Sequence, residues 1–163
     1  MPIFSELGIR DSKNRQKEKF LYNMASCYAL VERKIDETLS VYGLSPVTMN
    51  ALLVIKHVGK NKGLPQSELC KKIIVTAGNI TRLVDRLEKN KFVERVSLTG
   101  DRRVNLIKVT KKASDLLNKV WPIYKKSVDK IVCLPEGNLV NVTSVLESLR
   151  QTISQNNGGK IKP

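Results

Sequence analysis

Apolar residues recur at intervals of three and four along most of the chain, and one segment breaks that rhythm. From about residue 15 to 42 they fall at Phe20, Met24, Cys27, Val31, Ile35, Leu39 and Tyr42, one stripe of a long helix ended by Gly43. Ser45-Pro46 sets an N-cap and a first-turn proline before a second helix, which carries Met49, Leu52, Leu53 and Val54 and stops at Gly59. Lys60-Asn61-Lys62-Gly63 is a polar turn, and a short helix is predicted over Gln66 to Ile73. Thr76 is the predicted N-cap of a further helix to about Asn90, burying Ile80, Leu83, Val84 and Leu87 at i, i+3, i+4 and i+7.

Residues 92–109 change character. Phe92 to Leu98 and Val104 to Val109 are rich in β-branched residues, partly alternate, and flank the turn Thr99-Gly100-Asp101, so they predict a β-hairpin. Thr110 then caps a helix with Ala113, Leu116, Leu117, Val120, Tyr124, Val128 and Ile131 on one side, which Pro122 should bend or interrupt. A last helix from Pro135-Glu136 places Leu139, Val142, Leu146, Leu149 and Ile153 at alternating steps of three and four, a coiled-coil seam, until Asn157-Gly158-Gly159. The fold class is mainly α with a small β-hairpin wing (α+β). Residues 46–110 form a winged helix-turn-helix domain, 15–45 with 111–155 a helical region, 1–14 an N-terminal arm and 156–163 a disordered tail.

Charge narrows the class of partner. In 163 residues, 29 Lys and Arg stand against 15 Asp and Glu, a net charge of +14 that favours a polyanion such as nucleic acid. Between residues 61 and 110 the count is 11 basic to 5 acidic. No stretch approaches the ~18 apolar residues of a membrane span, and the N-terminus lacks a signal-peptide layout, so a cytoplasmic protein is expected. Cys27, Cys70 and Cys133 are odd in number and widely spaced, and read as small buried hydrophobes. With His57 the sole histidine, neither a metal site nor another cofactor is expected. No phosphate loop, nucleophile–base pair or pair of carboxylates at useful spacing suggests an enzyme.

A short helix, a turn, an amphipathic helix and a hairpin make a winged helix-turn-helix. The polar face of its second helix begins with Thr76, Ala77, Gly78 and Asn79 and continues with Thr81, Arg82 and Arg86. Small residues at a helix N-terminus admit close approach to phosphate. Asn79, Thr81 and Arg82 suit base edges in the major groove, and Arg86 suits phosphate. At the hairpin tip, Arg102 and Arg103 suit the minor groove, with Asp101 orienting an arginine. A solvated helix face and a charged turn are the bland alternatives.

The run from Ser67-Glu68-Leu69-Cys70 through Val75-Thr76-Ala77-Gly78-Asn79-Ile80-Thr81-Arg82-Leu83-Val84-Asp85-Arg86-Leu87-Glu88 to Asp101-Arg102-Arg103 and Val109-Thr110 resembles the MarR (multiple antibiotic resistance regulator) family of bacterial transcription factors. The helical order fits that family from about residue 15 to 155. The resemblance implies a homodimer on double-stranded DNA, joined through the first and last two helices. Leu139, Val142, Leu146, Leu149 and Ile153 lie in that interface, and the operator is pseudo-palindromic with half-sites about one helical turn apart. Repression is the family's usual outcome. Ile74, Lys91 and Ala113 stand where the family often has glycine, and Cys70 where it has alanine.

The resemblance also implies regulation by a phenolic or other lipophilic effector, or by oxidation of a cysteine. Tyr28, Met49, Leu53, His57 and Tyr124 could line the effector cleft, and each could equally be core. A winged-helix adaptor that binds protein and a redox-sensing regulator remain the alternatives.

Overall fold

The computed structural model describes residues 2–73, 77–98 and 101–156, with the side chains of all of these except 77, 78, 98, 101–105 and 156. The chain divides into two compact units, Met1–Ile131 and Val132–Pro163.

The first unit begins with a feature the sequence did not betray. A one-turn helix α1 (Ile3–Glu6) and a 3-10 turn (Lys13–Arg15) fold onto helix α2 (Gln16–Ser40). Phe4 is fully buried there, edge-on to Tyr22 with ring centroids 5.9 Å apart and beneath the Arg15 guanidinium at 5.1 Å. Helix α2 ends at Ser40, and the turn after it closes at the predicted stop Gly43, whose φ is +68°. The amides of Gly43 and Leu44 reach back to the carbonyls of Ser40 and Leu39, and Leu44 tucks into the core.

Helix α3 (Pro46–Gly59) starts on the predicted cap, with the Ser45 hydroxyl accepting from the Thr48 amide at 3.3 Å. Helices α4 (Gln66–Lys72) and α5 (Ala77–Lys89) follow, then strands β2 (Val93–Leu98) and β3 (Asp101–Val109). A two-residue strand β1 (Leu64–Pro65) pairs with β3 at Ile107 and Leu106, so the sheet has three antiparallel strands in the order β1-β3-β2. Gly63 feeds β1 onto β3 with a φ of +89°, and a Cβ there would lie 3.1 Å from the Ile107 carbonyl oxygen.

One hydrophobic cluster holds this unit together. It joins Ile35 and Leu39 of α2, Leu52 and Ile55 of α3, Leu69 of α4, and the predicted α5 stripe of Ile80, Leu83, Val84 and Leu87. Ile107 of β3 and Ala113, Leu117 and Val120 of helix α6 (Lys111–Ile131) complete it. The Thr110 hydroxyl caps α6, accepting from the Ala113 amide at 3.3 Å.

Three expectations change. Of the predicted turn Thr99-Gly100-Asp101, the first two residues lie outside the described ones, and Asp101 belongs to β3 and pairs with Leu98. The register then slips, with Ser97 opposite Asn105. Helix α6 runs unbroken through Pro122. Cys27 and Cys133 are exposed and Cys70 only half-buried, so none is a buried core residue. Cys27 lies on the part of α2 before Ile35, where Phe20, Met24 and Val31 of the apolar stripe are exposed too. The cap at Thr76, the turn residue Ile74 and the tail from 157 lie outside the described residues.

The second unit is helix α7 (Glu136–Asn156). Its predicted seam is present but uncovered: Leu139, Val142, Leu146 and Ile153 are exposed, and Leu149 is half-buried. Among the described residues, no helix is long and apolar enough to cross a membrane, and no cluster of residues could hold a metal ion.

Candidate nucleic-acid interface

Helix α5 carries the predicted base-reading residues, and its geometry follows from its core stripe. With Ile80, Leu83, Val84 and Leu87 turned inward, the intervening Asn79, Thr81, Arg82 and Arg86 are forced to the surface, and all four are exposed. Asn79, Arg82 and Arg86 share one cavity of about 440 Å³ with Leu83 of the same helix, Val47 of α3 and Glu32 of α2. Thr76 lies outside the described residues, as do the side chains of Ala77, Gly78, Asp101, Arg102 and Arg103. The backbone places Asp101 to Arg103 at the start of β3.

Two contacts fix the orientation of α5. From α4, the Gln66 amide donates to the Thr81 hydroxyl at 3.0 Å, bridging the two helices of the helix-turn-helix. From β2, Arg95 donates to Asp85 at 2.5 Å and also to Glu88, tying the wing to the helix. Hydrogen bonding to Asp85, with Glu88 beside it, raises the Arg95 pKa above its ordinary value. Sequence reasoning missed both Gln66 and Arg95. A signal existed for Arg95, since Asp85 and Glu88 lie three apart on one helix edge just before the strand that bears it. The Arg86 guanidinium reaches the Thr48 hydroxyl at 3.5 Å, so that arginine also leans on the start of α3.

Lys91 explains a departure from the family pattern. Its φ is +57°, and the amides of Lys91 and Phe92 return to the carbonyls of Glu88 and Leu87, the cap geometry that favours glycine. Ala113, another departure, is fully buried.

The five residues expected to line an effector cleft separate. Tyr28 and Tyr124 border a cavity of about 410 Å³ together with Val31, Glu32, Ile35, Pro46, Val47 and Asn50. Met49 is buried in the core, Leu53 packs against that core, and His57 is exposed on α3; none of the three lines this cavity. The negative charge of Glu32 pushes the Tyr28 pKa up. Tyr124 stacks on Trp121 with centroids 5.6 Å apart. Glu32 and Val47, which sequence reasoning passed over, line both this cavity and the one bearing Arg82 and Arg86. No local pattern marks them, because α2 and α3 meet only in the folded chain.

Residues 47–104 match the model of the MarR family. Over 130 residues the chain is 26% identical to the HTH-type transcriptional regulator MhqR of Bacillus subtilis (strain 168), spanning 79% of this chain and 88% of that relative. A MarR family transcriptional regulator from Streptomyces coelicolor, solved in complex with DNA, is similar with a TM-score of 0.77 and 20% identity over 88% of this chain and 90% of its own. A mutant MarR from E. coli complexed with operator DNA is similar with a TM-score of 0.76 and 18% identity, covering 85% of this chain and 99% of its own. The fold of both is that of this chain.

Proposed function

Because this chain belongs to the MarR family of winged-helix transcriptional regulators and not to a family of enzymes, we propose that it binds a pseudo-palindromic DNA operator as a homodimer, represses transcription there and is released by a small lipophilic or phenolic effector. The observation that carries the DNA-binding part is the clamped α5: Asn79, Thr81 and Arg82 exposed on one side, the core stripe on the other, and Gln66 and Arg95 holding the helix from both flanks. Both solved relatives named above are complexes with DNA.

In this proposal Asn79, Thr81 and Arg82 read bases and Arg86 takes phosphate, with Thr76, Ala77 and Gly78 bringing the helix start close to the backbone. Arg102 and Arg103 enter the minor groove from the wing, with Asp101 orienting them. Dimerisation buries the exposed stripe of Leu139, Val142, Leu146 and Ile153, with Leu149, together with that of Phe20, Met24 and Val31; apolar patches of this kind on a lone chain mark protein contacts. The region 46–110 is then the DNA-binding domain, with 15–45 and 111–155 joining the subunits. Effector control is supported by the two residues, Glu32 and Val47, common to the Tyr28–Tyr124 cavity and the Arg82–Arg86 cavity.

Fluorescence anisotropy tests the proposal, with duplex from upstream of the protein's own gene and random duplex titrated over a range of salt. Upstream duplex is expected to bind ~10³-fold or more tightly than random duplex, and Arg82→Ala to abolish that preference. No binding to either duplex at low salt would overturn the DNA-binding proposal.

A further inference from the structure

The cavity between α2 and α3 has a chemistry that selects its occupant. Among the residues that line it, Glu32 is the one ionised side chain, and no lysine, arginine or histidine joins it. Val31, Ile35 and Val47 make apolar walls, and Tyr28 and Tyr124 bring aromatic rings from α2 and α6. Arg82 and Arg86 line the adjoining cavity, and Arg33 lines a third that it shares with Glu32 and Asp36. The net charge of +14 is therefore not expressed on the walls of this cleft.

We propose that this cleft takes an aromatic cation, an arylalkylammonium of one or two rings whose charge is met by Glu32 and whose ring lies between Tyr28 and Tyr124. The proposal rests on the effector role given to the cleft above and adds the class of effector. A volume of about 410 Å³ suits a compact ligand of that size. Tyrosine faces attract cations through the ring quadrupole, and a carboxylate supplies the opposite charge. The carboxylate of Glu32 can do this because both of its oxygens carry lone pairs that accept from an ammonium. A carboxylate ligand in the same place would face Glu32 with no lining cation to offset the repulsion. Asn50 adds a neutral polar group that can accept from the ammonium or donate to a ring substituent.

Titration calorimetry on the full-length protein separates the charge states, using three probes of near-equal size: tryptamine (cationic), 3-ethylindole (neutral) and indole-3-propionate (anionic). Tryptamine is expected to bind about tenfold or more tightly than indole-3-propionate. Glu32→Gln should erase that preference while leaving 3-ethylindole unchanged, and Tyr124→Ala should weaken all three. The cation proposal is overturned if the anion binds as well as the cation, or if the preference survives Glu32→Gln. If the neutral or anionic probe binds best and Tyr124→Ala weakens it, the effector cleft stands and only its cation selectivity falls. If none of the three binds at millimolar concentration, both fall, and DNA binding is unaffected by that result.

Discussion

Helices α5 and α7 carry the same hydrophobic rhythm and meet opposite fates. In α5, Ile80, Leu83, Val84 and Leu87 are at most 5% exposed, enclosed by α4, the sheet and the rest of the winged helix. In α7, Leu139, Val142, Leu146 and Ile153 are between 39% and 50% exposed at closely similar spacing. A period of three and four residues specifies which side chains share a face, and says nothing of what covers it. The first half of α2 behaves like α7, and its second half, with Ile35 and Leu39 in the core, behaves like α5. The core of the winged helix is therefore internal to one chain, whereas the stripes of α7 and of the first half of α2 are exposed.

That contrast can be broken most severely at Leu87. Leu87→Ala removes a fully buried side chain from the shared core and should cost about 2–5 kcal/mol of unfolding free energy, read in urea melts as a loss that does not vary with protein concentration. A change that did vary with concentration would mean that the winged helix is not stable by itself. Leu146→Glu addresses the other side of the comparison. It places a charge in the α7 stripe and should weaken subunit association by about 1–3 kcal/mol, seen as a shift towards monomer in sedimentation velocity with the secondary structure intact. A variant that sediments as wild type and melts within about 0.5 kcal/mol of it would show α7 to be an ordinary solvated helix. The smallest effect is expected at Lys91, again inside the winged helix. Lys91→Gly relieves a left-handed residue at the end of α5 and should stabilise the protein by about 1 kcal/mol, a rise in Tm that is the same at every protein concentration.

Much of the winged helix was legible before any coordinates. The caps at Ser45 and Thr110, the stop at Gly43 and the buried stripe of α5 are local matters, decided by residues within one or two helical turns of each other. The surface position of Asn79, Thr81, Arg82 and Arg86 followed from that stripe by geometry alone. What escaped was non-local. Strand β1 is two residues long and contains Pro65, so only its pairing with Leu106 and Ile107 makes it a strand. Phe4 sits in what reads as an arm, and it is packed against Arg15 of the 3-10 turn and Lys19 and Tyr22 of α2. Cys27 shows the converse: its place on an apolar stripe implies burial, but that part of the stripe on α2 is exposed.

The cavity between α2 and α3 divides along the same line. Tyr28 and Tyr124 stood out as aromatic residues on helices of the right region, whereas Met49, drawn by the same criterion, belongs to the core. Glu32 and Asn50, the polar groups of the cleft, have nothing distinctive in their sequence neighbourhoods. Taken alone, the sequence determined the order of the helices, the inward and outward faces of α5, the excess of positive charge and the resemblance to the MarR family. Short-range sterics, helical periodicity and charge are properties of neighbours along the chain, so they can be read there. The tertiary structure alone decided that Gln66 and Arg95 hold α5 in place and that Glu32 stands between the aromatic cleft and the arginines. Each of those arrangements joins residues from separate elements, and packing of a single core is what sets the distance between them.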